Sequence, residues 1–261
     1  MSSCLNSTLI RKLELIKQLL ETSHVSDKWW EGSAPNDIMD VCRNGGDLNL
    51  VKHLIRKKDI NVSERTSNGI TSLMDACEGG HLSFVQYLIN DKGMNVKVQD
   101  TYGQTTLMYA CNGGYLSVVE YLINVQGMDV KEKDNADWSG LMYACQGGHL
   151  PVVEYLINVH GMDMMEKSSD GVTTLMAVCK EGHLSVVQYL IDTNGMDVNE
   201  KDNDGQTALM AACQCGHLSV GQCLIGVKDL DVNAKDKYGD TSVEIASECK
   251  HRAIVSYLIS N

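Results

Sequence analysis

Thr105 to Ile123 reads TTLMYACNGGYLSVVEYLI, and the chain rewrites this stretch again and again. Its tetrad Leu107-Met108-Tyr109-Ala110 recurs as Leu73-Met74-Asp75-Ala76, Leu141-Met142-Tyr143-Ala144, Leu175-Met176-Ala177-Val178 and Leu209-Met210-Ala211-Ala212. Each copy lies 34 residues from the next, and a cysteine keeps step at Cys77, Cys111, Cys145, Cys179 and Cys213. A fixed period of this size specifies a stacked array in which each unit touches only its neighbours.

Two short helices are expected in each unit. Leu107, Ala110 and Cys111 fall at helical spacing and give the first helix one narrow apolar stripe. Gly113-Gly114 or Gly147-Gly148 then supplies the backbone freedom for a turn. The second helix reads Ser117-Val118-Val119-Glu120-Tyr121-Leu122-Ile123, and in one copy its Ser is Pro151. Proline fits there only in a first helical turn, where no needed amide donor is lost. A polar run follows, seen in one unit as Asp202-Asn203-Asp204-Gly205-Gln206-Thr207. This pattern reads as a tight turn that delivers a Thr N-cap to the next helix.

Helix, turn, helix and hairpin-like finger together resemble the ankyrin repeat. Asp202, Gly205, Thr207, Leu209, Ala211, Ala212, Gly216, His217, Leu218, Val220, Leu224, Ile225, Asp231, Val232 and Asn233 match its pattern position by position. The resemblance covers nearly everything from residue 36 to 261 and implies an all-α ankyrin-repeat solenoid of about seven repeats including caps. Tetratricopeptide repeats share the 34-residue length, but their long helices and Trp/Tyr-Gly pattern are missing. Two departures stand out. The Pro of the family's T-P-L-H tetrapeptide is Thr106, Ser72, Thr174 or Ala208, and its His is Met throughout, so a family hydrogen bond is expected to give way to a gap-filling thioether. The period is also one longer than usual, the extra residue falling within Asn124-Val125-Gln126-Gly127.

Residues 1–35 fit no repeat and are expected to form an N-terminal helical cap. Within it, Leu9, Leu13, Ile16 and Leu20 make one stripe over Thr8 to Glu21, with Ser7 or Thr8 capping and Trp29-Trp30 packing nearby. A degenerate first repeat spans 36–65, regular repeats two to six span 66–235, and a capping repeat spans 236–261. In that last unit Glu244, Glu248 and Lys250 replace apolar residues.

The net charge of -12 argues against nucleic acid, whose phosphates demand a basic footprint, and suits a basic partner. The chain has no run of 18 apolar residues and no basic-then-apolar start, so neither a membrane span nor a signal peptide is expected. A monomer in the cytoplasm or nucleus is the resulting expectation.

Ten cysteines invite disulfides or zinc. Five of them occupy the small-residue core position of helix one, where stacked helices lie about 8–10 Å apart, beyond the roughly 7 Å Cα separation a disulfide tolerates. They are expected reduced and buried. Cys213, Cys215 and His217 make only half a zinc site, so no metal or other cofactor is expected. His81, His149, His183, His217 and His251 sit one repeat apart, too far to share an ion. Tyr87, Tyr121, Tyr155, Tyr189 and Tyr257 stand where the family has Leu and are expected to stack with hydroxyls at the surface. No nucleophile, base and acid converge, and GxxxxGK[ST], HExxH and GxSxG are lacking, so no enzyme is expected.

In ankyrin arrays the concave face is built from fingertips and the exposed positions of helix one. The resemblance therefore implies a partner site at Asp75, Tyr102, Tyr109, Asn112, Trp138, Tyr143 and Gln146, where rigid aromatics gather amid polar residues. The alternative reading is that Tyr109 and Tyr143 only cover the base of the fingers. A protein-interaction scaffold or adaptor gripping its partner on this face is the leading function. A small aromatic ligand or nucleotide stacked between Trp138 and a Tyr is the competitor, and a targeting arm for an absent domain is a third reading. Two local irregularities stand out. Finger four carries Asp137 where the others have Gly69, Gly103, Gly171, Gly205 and Gly239, with Gly140 in place of Thr; this predicts an altered or strained turn. Repeat six has Gly221 and Cys223 where its sisters have Val and Tyr, which predicts a weak link.

Overall fold

A computed structural model of the chain describes residues 61–193 and 196–260, together with Arg43, Leu48, Asn49, Lys52, Ile55 and Arg56. The expected N-terminal cap, its Trp29-Trp30 pair and most of the first repeat lie outside the described residues. From Ser72 onward six helix pairs follow: α1 Ser72–Glu78 and α2 Leu82–Gln86; α3 Thr106–Gly113 and α4 Leu116–Glu120; α5 Gly140–Gln146 and α6 Leu150–Asn158; α7 Thr174–Glu181 and α8 Leu184–Asp192; α9 Ala208–Cys215 and α10 Leu218–Ile225; α11 Ser242–Glu248 and α12 Arg252–Ser260. First helices pack on first helices of neighbouring repeats, and second helices on second helices, so the molecule is an all-α solenoid.

Each first helix starts on a hydroxyl. Thr71, Thr105, Ser139, Thr173, Thr207 and Thr241 hold extended backbone, and their Oγ accepts the amide three residues on, at 3.2–3.5 Å. An N-cap of this kind contributes about 1 kcal/mol, a useful share for a helix of seven or eight residues. Gly140 occupies the first helical position of α5, so Ser139 supplies the cap there as Thr does elsewhere. The Leu, Met and Cys columns are sealed: Leu73, Leu141, Leu209, Met74, Met142, Cys77, Cys111, Cys145, Cys179 and Cys213 have no exposed surface. A fully buried leucine contributes about 1.5–3 kcal/mol. Burial pushes the Cys111 and Cys213 thiols up to about 12.

The methionines do more than fill gaps. Met108 Sδ accepts the Thr105 amide at 3.3 Å and Met176 Sδ accepts that of Thr173 at 3.5 Å. A thioether thus closes a weak capping box in repeats three and five, and the expectation that the hydrogen bond was wholly lost needs that correction.

The turn histidines lock the repeats together. Nε2 of His81, His149, His183, His217 and His251 donates to the carbonyl of Arg43, Asn112, Gln146, Lys180 and Gln214, at 2.8–3.0 Å. Asn112, Gln146, Lys180 and Gln214 lie in the last turn of the first helix of the preceding repeat, so the bond runs between units. Gly114 shows why the turn is glycine: its φ is 78°, and an added Cβ would lie 2.1 Å from the His149 ring.

In repeats two and three the additional residue of the 34-residue period has a visible destination. After α2 and α4 the backbone widens into π-turns at Tyr87–Asp91 and Tyr121–Val125, with Lys92 N–H donating to Tyr87 O and Gln126 N–H to Tyr121 O. Gly93 and Gly127 then reverse the chain at φ 67° and 65°. Tyr121 and Tyr155 hydroxyls accept from Asn90 and Asn124 of the repeat before, as expected of rings reaching the surface. Tyr87 departs from that expectation. It is 3 % exposed, its hydroxyl is buried, and Lys52 and Lys92 lie 4.6 and 5.8 Å from its ring centre.

The fingers are single antiparallel bridges, Arg65 with Thr71, Gln99 with Thr105, Lys133 with Ser139 and Lys167 with Thr173. Neighbouring fingers join through backbone bonds of 2.8–3.0 Å: Thr101 to Asn68, Asn135 to Tyr102, Ser169 to Ala136, Asn203 to Asp170 and Lys237 to Asp204. Finger four keeps the turn of its sisters, with Asp134 N–H on Trp138 O and Asp137 N–H on Asp134 O. Asp137 is driven to φ 61° to do so, a left-handed conformation that costs a non-glycine residue about 1 kcal/mol. At the C-terminal end Glu244, Glu248 and Lys250 are all exposed.

Candidate protein-binding face

Each finger is organised by the carboxylate at its base. Asp100 Oδ1 accepts the amides of Tyr102 and Gln104, at 2.9 and 2.8 Å, and Asp134 Oδ1 does the same for Ala136 and Trp138. The second oxygen faces the first helix. Tyr109 donates its hydroxyl to Asp100 Oδ2 at 3.0 Å, and Tyr143 donates to Asp134 Oδ2 at 2.7 Å. A hydrogen bond to a charged group contributes about 1.5–3 kcal/mol, so each tyrosine staples its finger to its helix. Asp202 and Asp236 order their turns in the same way, but Ala211 and Ile245 replace the tyrosine. Fingers three and four are therefore anchored in a manner that fingers six and seven are not.

Tyr143 also accepts Gln104 Nε2 at 2.5 Å, which brings finger three against finger four. Its ring also meets Trp138, centres 5.4 Å apart and planes tilted by 50°. Burial, then the hydrogen bond to Asp134, raises the Tyr143 phenol well above its ordinary range; burial and Asp100 do the same for Tyr109. Both hydroxyls keep their protons and stay donors at neutral pH.

The residues named from sequence take two kinds of place. Tyr102 stands on its fingertip with 58 % of its surface exposed, while Trp138, Tyr143, Asn112 and Gln146 are half-buried along the face. Tyr109, at 9 % exposure, and Asp75, at 3 %, lie beneath it. Asp75 grips Arg43 Nη2 at 2.5 Å, Arg43 Nε reaches Glu78 at 3.1 Å, and Asn112 donates to Glu78 at 3.2 Å. That ladder ties repeats one, two and three along the floor of the face. The aromatic pair is closed: a ring slotted between Trp138 and Tyr143 would need two ring-to-ring spacings of at least about 4.5 Å each. The expected ligand slot between these two rings does not fit this arrangement.

Sequence reasoning missed the Asp–Tyr staples, Gln104 and Arg43. One signal was present. Asp and Tyr occur nine residues apart in repeats three and four, and the tyrosine is absent from repeats five to seven.

Stacked helix pairs carrying a row of hydrogen-bonded fingers define a repeat solenoid. The family model for ankyrin repeats matches in three copies, over residues 38–134, 114–202 and 194–261, and the chain belongs to that family. No curated protein matches it. Ankyrin repeats are generally protein–protein interaction modules and are typically non-enzymatic. Among the described residues no helix is long and apolar enough to cross a membrane.

Proposed function

We propose that this chain is a non-enzymatic interaction scaffold or adaptor that holds another protein on the concave face of repeats two to five. The observation that carries the reading is the anchored aromatic surface of fingers three and four. Tyr102 and Trp138 ride on turns fixed by Asp100 and Asp134, and those turns are held by Tyr109 and Tyr143. Pre-ordered aromatics lose little conformational entropy on binding, which is how a few side chains come to dominate an interface. In this reading Tyr102, Trp138, Tyr143, Asn112 and Gln146 meet the partner, while Asp75 and Tyr109 hold the face in shape. The scaffold acts as a monomer, on a protein and not on nucleic acid or lipid, consistent with its net charge of -12. Its column of buried thiols suits a reducing compartment, cytoplasm or nucleus.

Affinity capture from the native cell extract tests this, comparing the wild type with a Tyr102→Ala/Trp138→Ala variant. The expected result is a set of proteins retained by the wild type and lost by the variant, at equal melting temperature. Identical retention by both places the partner surface elsewhere.

A further inference from the structure

The five cysteines of the sealed column have no surface for a reagent to reach, but two others do. Cys215 closes α9 and Cys249 caps α11, 34 residues apart at one position of the repeat. Cys215 is half-buried and Cys249 is exposed. The same position holds Gly79, Gly113 and Gly147 in repeats two to four and Glu181 in repeat five.

Those glycines show how near the repeats come at this point. A Cβ added to Gly79 would lie 1.9 Å from Arg43 O, and one on Gly147 would lie 2.8 Å from Asn112 O. One on Gly113 would lie 2.1 Å from Glu78 O and 2.9 Å from Glu78 Cα. First helices that stack about 8–10 Å apart along their length therefore close in at their C-terminal ends. A disulfide needs such an approach, with Cα atoms about 4.4–6.8 Å apart. A side chain at this position lies against the residue 35 earlier, the chain neighbour of the preceding member of the column. For Cys249 that residue is Gln214, next to Cys215, and the His251 Nε2 bond to Gln214 O at 3.0 Å holds the two repeats in register. The Cys215 thiol is raised mainly by burial, and it also feels the charges of Lys180, Glu181 and Cys249. Cys223, also half-buried, sits on α10 and stands by the buried Cys179 and by Asp192 instead.

We propose that Cys215 and Cys249 are a redox-sensitive pair, which hydrogen peroxide converts to a disulfide that clamps the capping repeat to repeat six. The exposed Cys249 thiolate attacks the O–O bond and becomes a sulfenic acid, the other oxygen leaving as water. The Cys215 thiolate then attacks the Cys249 sulfur, and the departing hydroxide takes up a proton as a second water. Two thiols and one peroxide give one disulfide and two waters. The closed loop encloses α10, where Gly221 replaces the fully buried valines of its sisters, together with finger seven. Reduced, the C-terminal end is held by packing alone; oxidised, it is tied across that joint. A transient disulfide of this kind is what a reducing compartment allows. The clamp does not depend on where along the array a partner binds.

The test treats the native full chain with hydrogen peroxide, blocks remaining thiols with N-ethylmaleimide and maps the unreduced tryptic peptides by mass spectrometry. The expected product is a monomer in which peptide 238–250 is joined to peptide 202–228, released by dithiothreitol. The link should persist in Cys223→Ser and vanish in Cys215→Ser and in Cys249→Ser, the latter altering only an exposed side chain. Amide exchange from residue 202 onward should slow by at least about tenfold on oxidation, within what closing a loop of this length contributes, and recover with dithiothreitol. Neither serine variant that lacks the link should show the slowing. Two thiols still free after excess peroxide, a link lost in Cys223→Ser, or a covalent dimer in place of the monomer overturns the pairing. A disulfide that forms without slowing exchange overturns the clamp.

Discussion

Replacing Gly221 by valine should strengthen the weakest joint of the array. Gly221 sits inside α10 and is buried, and a Cβ added there meets nothing within 4 Å. The sister residues Val85, Val119, Val153 and Val187 are all fully buried. The space exists, and this repeat leaves it unfilled. Glycine in a helix interior costs about 1 kcal/mol against alanine, and valine recovers roughly half of that. Burying the valine side chain contributes about 1.5 kcal/mol more. The total, about 2 kcal/mol, corresponds to roughly 4–8 °C in Tm for a chain of this size. In a nearest-neighbour array the gain should concentrate beyond the joint, in repeats six and seven. Amide exchange followed by mass spectrometry is the assay. In the wild type the fastest exchange among the helices should run from Asp202 to the C-terminus, and Gly221→Val should slow it by about tenfold or more, since 1.4 kcal/mol is a factor of ten. Uniform protection across repeats three to seven in the wild type would refute the weak-joint reasoning. A Gly221→Val protein that melts lower would show that α10 needs the glycine for close packing.

Three further predictions test other joints. Tyr143→Phe leaves Asp134 Oδ2 and Gln104 Nε2 without their shared partner; it should destabilise by about 1.5–3 kcal/mol, read by urea denaturation, with faster exchange confined to fingers three and four. Asp137→Gly should relieve the left-handed strain at φ 61° for a net gain of about 0.5 kcal/mol after the added freedom of the unfolded chain; a loss of stability in the same denaturation series would mean that the Asp137 side chain has a structural role. Glu166 is pushed above the usual carboxylate range chiefly by burial, against the opposing pull of its Ser139 hydrogen bond and of Lys133 at 3.9 Å. A carboxyl whose folded pKa is raised contributes most below its unfolded pKa, and that contribution is lost as pH rises through the folded value. Glu166→Gln should therefore raise Tm at pH 7 and lose that advantage near pH 4, and an advantage independent of pH would contradict the assignment.

The repeat architecture was legible because its determinants are local. A hydroxyl before an apolar stripe, a glycine that only the turn accepts and a proline confined to a first helical turn are each decided within a few residues. The cysteine and histidine columns followed for the same reason, since a fixed period fixes their spacing before any coordinate is known. What lay across repeats was harder to read. Tyr109 and Tyr143 look alike as aromatic residues at a variable position, yet one is buried beneath the face and the other is half-buried within it. Their hydroxyls follow carboxylates nine residues away, and only the closed finger brings those groups together. Tyr87 shows the same limit: its sequence context matches Tyr121, but its neighbours Lys52 and Phe84 bury it. The additional residue of the repeat was visible as an insertion. Its absorption into a π-turn in repeats two and three, but not in four and five, was not.

The central claim is that fingers three and four form the contact surface for a protein partner. Site-specific photocrosslinking tests it most directly, with benzoylphenylalanine placed at Tyr102 on the face or at Val125, exposed after the second helix of the same repeat. Irradiation in the native extract should give a discrete higher-mass adduct from position 102, suppressed by Trp138→Ala, and none from position 125. An adduct from position 125 alone, or one from 102 that is indifferent to Trp138→Ala, would contradict the account.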